Sequence, residues 1–210
     1  MKDVATALRR IVRTLTEAGC RFAVIGGIAV SARSEPRFTR DVDLAVAIRA
    51  DDEAEALVHA LLTVGYRVKA VIEQKTTKRL ATVRLEPRDT DRNPVVVDLL
   101  FASSGVEPEI VSEATLLEVF PGVRVLVAQV GHLLAMKLLS RNDRSRPRDL
   151  SDLVALMAIA KARDILVANR AVKLISARGF ARGRNLEAAL KRLVRAQRPD
   201  LAAPSRRRKH

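Results

Sequence analysis

The chain has 210 residues, 48% of them hydrophobic, enough for one buried core with a helical appendage. A single cysteine, Cys20, excludes an internal disulfide, and with only three scattered histidines an ordinary zinc site is excluded too. The formal net charge is +14, and all of the basic excess lies late: residues 1–120 hold 17 Lys/Arg and 18 Asp/Glu, residues 121–210 hold 21 and 6.

From the N-terminus, Val4, Leu8, Ile11, Val12 and Leu15 make an apolar helical stripe over residues 4–18, with Arg9, Arg10 and Arg13 outside it and Gly19 as its stop. The same charges break up any signal-peptide core. Residues 21–25 read as a buried strand delivering Gly26-Gly27 at its carboxyl end, followed by a short helix over 29–32. The apolar stretch 22–30 is too short to cross a bilayer, so a soluble, cytoplasmic protein without a membrane partner is expected. A second strand, 42–48, carries Asp41 and Asp43 at its start. Asp51, Asp52 and Glu53 open a helix that runs to Val64 and closes at Gly65. Strands over 66–72, 81–85 and 95–101 follow, the last two separated by a polar turn with Asp89, Asp91 and Asn93. From Val130 the apolar period becomes helical, over 130–140, 149–160, 163–177 and 186–196, with a charged loop at 141–148 and a basic tail at 205–210 expected to be disordered.

Two carboxylates at i and i+2 project from one face of a strand, and like charges beside a core need a cation between them. Oxygen-only ligands favour Mg²⁺ or Mn²⁺. Asp98 interrupts the apolar run Val95-Val96-Val97-Asp98-Leu99-Leu100-Phe101 and is either a third ligand or the partner of an arginine at the sheet edge. Gly26-Gly27 opens a helix, where backbone N–H groups suit phosphate oxygens and glycine permits close approach. Lys137 stands on the apolar helix Leu133-Leu134-Ala135-Met136-Lys137 in a chain with 29 Arg and only 9 Lys. A compact ammonium suits a phosphate point contact, although a snorkelling lysine fits the pattern equally. Asp149 and Asp152, at i and i+3, can orient Lys137 across a helix pair, Asp149 also being placed for N-terminal capping. Arg40 is a substrate contact or a local charge partner of Asp41. His132 reads as a helix-surface residue.

Strand, Gly26-Gly27, spacer, Asp41-x-Asp43 and the later Asp98 resemble the nucleotidyltransferase superfamily built on the polymerase-β-type palm. The helical Lys137 and the run leading into Asp149-Leu150-Ser151-Asp152-Leu153 narrow the resemblance, over roughly residues 20–160, to the AbiEii/MenT-type toxins of toxin–antitoxin pairs. The resemblance implies an α/β fold, a mixed twisted sheet with flanking helices, plus a helical C-terminal region. It divides the chain into a nucleotidyltransferase core (1–125), a basic helical region (126–203) and a tail (204–210). It further implies that Asp41 and Asp43 bind metal, with Asp98 the least uniform ligand. Gly26, Gly27 and Lys137 would hold the triphosphate, Thr39 would touch substrate, and Asp152, or Asp149, would complete the site. The usual Gly-Ser turn is Gly-Gly here, so a hydroxyl contact to phosphate is missing.

The activity so implied is transfer of NMP from an NTP, a pyrimidine and CTP in particular, to the 3′ end of tRNA, blocking aminoacylation, with an antitoxin as restraining partner. The +15 helical half suits a polyanion. The competing expectations are an aminoglycoside-type small-molecule nucleotidyltransferase, transfer onto a protein, and a non-catalytic nucleic-acid-binding protein. An aminoglycoside pocket would be acidic, and with 3% aromatic residues a base-stacking platform is disfavoured.

Overall fold

The computed structural model describes residues 2–74, 78–88, 94–141 and 147–202. Helix α1 (Lys2–Glu17), strand β1 (Arg21–Val24), helix α2 (Gly26–Arg33), strand β2 (Val42–Ala47), helix α3 (Asp51–Thr63) and strands β3 (Tyr66–Glu73), β4 (Leu80–Pro87) and β5 (Val97–Leu100) follow the predicted order. Helix α4 (Glu107–Ser112) and strands β6 (Thr115–Phe120) and β7 (Val123–Val127) fill a stretch to which the pattern assigns nothing. Helices α5 (Val130–Ser140), α6 (Pro147–Ile159), α7 (Ala162–Ala177), α8 (Leu186–Gln197) and α9 (Pro199–Ala202) complete the described chain. The charged loop at 142–146, the polar turn at 89–93 and the basic tail lie outside the described residues.

The strands form one mixed sheet in the order β3-β4-β5-β2-β1-β7-β6. Its centre is set by apolar content: β2 and β5 are parallel and almost wholly buried, as central strands with both faces covered require. β1 runs antiparallel to β2 and parallel to β7. On α1 the buried residues Val4, Leu8, Ile11 and Leu15 recur at helical spacing and face the sheet, where α1 touches β1, β2 and β7. Pro121 and Gly122, the latter at φ +71°, close the β6–β7 hairpin, a backbone region that glycine enters without strain.

The C-terminal helices pack on one another, α5 against α6, α7 and α8. Gly131 lets α5 and α7 approach closely: a Cβ there would stand 2.4 Å from the Asp164 carbonyl oxygen and 2.6 Å from Val167 Cβ. Helix α2 joins the two parts, touching β2 and β6 on one side and α5 and α6 on the other. The residues following β1 therefore meet those of the helical region. No described helix is long and apolar enough to cross a membrane.

Candidate active site

The site gathers where β1 ends. Helix α2 starts at Gly26 itself, earlier than the pattern suggests, so both glycines lie in its first turn. The Ile25 N–H donates to the Asp43 carbonyl (3.0 Å), locking the glycine turn to β2. Gly26 adopts φ +61°, and a Cβ on it would fall 1.9 Å from Asp43 Oδ2, so no other residue fits. At Gly27 a Cβ would stand 2.6 Å from Thr39 Oγ1 and 2.9 Å from Arg37 Nη2. The space a larger side chain at position 27 would need is thus filled by the Thr39 hydroxyl and the Arg37 guanidinium.

Asp41 is exposed, whereas Asp43 is half-buried. Burial, then the neighbouring carboxylates of Asp98 and Asp41, push the Asp43 carboxyl up to about 6, with Lys137 and the Gly27 N–H pulling the other way. Parallel pairing of β2 with β5 puts Asp98 directly beside Asp43. Across the next pair Arg84 stands opposite Asp98 and binds both its oxygens, Nε to Oδ1 at 2.8 Å and Nη2 to Oδ2 at 2.7 Å. Arg40 makes no ion pair with Asp41 among the described residues; its guanidinium lies over the Phe38 ring, 5.5 Å from the centroid. Thr39 is half-buried, with Oγ1 3.4 Å from the Asp41 carbonyl. A cleft of about 470 Å³ opens here, lined by Phe38, Thr39, Arg40, Asp41, Lys69 and Val95 among others.

On the facing helices, Lys137 Nζ lies 2.8 Å from Asp149 Oδ1 and 2.7 Å from Asp152 Oδ2, so both acids of the i, i+3 pair hold it. Asp149 also accepts from Ser140 Oγ (3.0 Å). Asp152, almost fully buried, is held from the other side by Arg37, whose Nη2 donates to Oδ2 (2.9 Å) while Nε stands 2.7 Å from Oδ1 without hydrogen-bond alignment. Two cations and two carboxylates balance in a half-dry setting, as buried charges require. An ammonium has three N–H groups; one is donated to Asp149, while Asp152 holds the same charge as an ion pair, so donor capacity is left for an anion. Arg37 and Arg84 are the site-forming residues that sequence reasoning passed over. Arg37 lies two residues before Thr39 in the Arg-x-Thr-x-Asp-x-Asp run, a signal that was present; Arg84 stands out only once the strand register is known.

His132 is not on the surface as expected. It is buried, its Nε2 4.0 Å from Glu113 Oε2 and its Nδ1 without a hydrogen-bond partner. Burial lowers its pKa, with Glu113 raising it and Arg170 lowering it. It sits on the Glu113 and Arg170 side of α5, among none of the acids described above.

The mixed seven-stranded sheet with its flanking helices is a nucleotidyltransferase fold. A solved antigenic nucleotidyltransferase-like protein from Paracoccidioides brasiliensis superposes with a TM-score of 0.54 at 17% identity, over 90% of this chain and 93% of that one. The antibiotic-resistance factor ANT(2″)-Ia matches at 0.48 and 18% identity over 91% and 92% of the two chains, and the lincosamide antibiotic adenylyltransferase LnuA at 0.45 and 14% over 73% and 96%. No curated protein matches the chain in sequence. The family profile described as "Nucleotidyl transferase AbiEii toxin, Type IV TA system" matches residues 7–209, and the chain belongs to that family.

Proposed function

We propose that this toxin-family nucleotidyltransferase transfers NMP from an NTP, CTP or another pyrimidine nucleotide, to the 3′ end of tRNA, and that an antitoxin partner restrains it. The observation that carries the reading is the meeting of two halves: Asp41 and Asp43 on the glycine-turn side, Lys137 clamped by Asp149 and Asp152 on the other, bridged by Arg37. The donor set at Asp41 and Asp43 is all oxygen, and Gly26 lets the Asp43 carboxylate lie against the turn, which fits a hard divalent cation, Mg²⁺ or Mn²⁺. When bound, such an ion neutralises phosphate charge and lowers the pKa of an attacking hydroxyl.

The chain's own residues do the rest. Gly26 and Gly27, at the start of α2, let phosphate oxygens approach a helix N-terminus. An N–H of Lys137 not given to Asp149 points charge at the triphosphate, and its two carboxylate partners fix where that charge stands. Thr39 and Arg40, lining the cleft beside Asp41, contact the nucleotide or the acceptor. The acceptor hydroxyl oxygen bonds to the α-phosphorus and gives its proton to solvent, the α–β bridge breaks, and pyrophosphate leaves with the electron pair. The basic helical half supports RNA as the acceptor-bearing partner.

Incubation with each α-labelled NTP, Mg²⁺, total tRNA and cell extract tests the reading. Label in tRNA is expected. Label found only in polypeptide, only in a small-molecule acceptor such as an aminoglycoside, or nowhere, contradicts it.

A further inference from the structure

One row of charges crosses three adjacent strands at a single level: Asp43 on β2, Asp98 on β5 and Arg84 on β4. Residues in register on neighbouring strands present side chains to the same face about 5 Å apart, so this row is contiguous. Asp98 gives both oxygens to Arg84 in a two-bonded pair at 2.8 and 2.7 Å. The acid is buried, whereas the Arg84 side chain is 43% exposed and in electrostatic reach of Asp41 and Asp43. A planar fork matched to a carboxylate at both ends is the strongest common ion-pair geometry.

The charge balance makes a definite statement. Asp41, Asp43 and Asp98 carry a formal −3 and Arg84 returns +1, leaving −2, the charge that one divalent cation neutralises. Were Asp98 free, the surplus would draw more positive charge into the site. We propose that Arg84 is a positioning residue: it holds Asp98 turned away from the cleft, and the chain's own carboxylates then bind a single divalent cation through Asp41 and Asp43. The inference rests on the metal-dependent reading of the site given above, but its test does not require transfer to any acceptor.

The test counts Mn²⁺ bound by the full chain, from the free-ion electron paramagnetic resonance signal during titration. One ion per chain is expected. Asp98→Asn, a near-isosteric change that keeps a polar group for Arg84, leaves that count and its midpoint within about threefold. Arg84→Met, with folding checked by circular dichroism, releases Asp98 and raises the count to two. A native count of zero or two, a folded Arg84→Met that still binds one ion, or a weakening beyond about threefold in Asp98→Asn overturns the proposal; should Arg84→Met fail to fold, the native count and Asp98→Asn decide it alone. A chain that binds one ion in this way but labels no acceptor rejects the proposed function and leaves this inference standing.

Discussion

Asp41 and Asp43 stand two residues apart and meet opposite surroundings. Asp41 is exposed, and no described residue forms an ion pair with it; Asp43 is wedged against the glycine turn with its carboxyl pushed up to about 6. That contrast separates chemistry from stability. Asp41→Ala should change stability by no more than about 0.5 kcal/mol, as surface substitutions do, yet lower nucleotidyl transfer by roughly 10²–10³-fold. Urea denaturation alongside the labelling assay checks it, and undiminished transfer would remove Asp41 from the site. The acids were legible in the sequence because a carboxylate inside an apolar strand stands out. Arg84 was not: with 29 arginines in the chain, only the β4–β5 register singles it out.

At the scale of elements, α5 explains both a success and a miss. Its bounds follow from a long apolar run, but Val130, His132, Leu133, Leu134 and Ala135 are all buried, so it offers little solvent face to which a histidine could be assigned. Strand β6 was missed for the reverse reason. It lies at the sheet edge with half-exposed positions such as Leu116, and shows no clean alternation. The α5–α7 crossing depends on Gly131, where an added methyl would press on backbone rather than on a movable side chain. Gly131→Ala should therefore cost about 1–3 kcal/mol in urea unfolding, and an unchanged midpoint would show the helices free to separate. Buried His132 faces Glu113, Glu109 and Arg170, and its pKa is held below the ordinary 6.5 chiefly by burial. The unfolded chain then binds the proton more readily, so stability is lost as pH falls through 6.5 toward the folded value. Thermal melts between about pH 7 and about pH 5 should be less pH-dependent in His132→Leu than in the native chain. Equal slopes would contradict the assignment.

Across the whole molecule, charge is divided as sharply as structure. The first 120 residues are nearly neutral and the remainder carries the basic excess. Exposed Lys191, Arg192 and Arg195 on α8 have no ion-pair partner among the described residues, unlike Arg170 and Arg178, which are held by Glu113 and Glu109. If α8 meets RNA phosphates, replacing those three with Gln should reduce the steepness of log K against log salt by roughly two to three, at 0.7–0.9 per contact. An unchanged slope would place RNA elsewhere on the surface. Nucleotide addition to tRNA is tested most directly by sequencing tRNA 3′ ends after incubation with each NTP in turn. Extra pyrimidine residues, C above all, are expected beyond the native 3′ end with native protein and none with Asp41→Ala; unextended ends under every NTP would contradict transfer to tRNA.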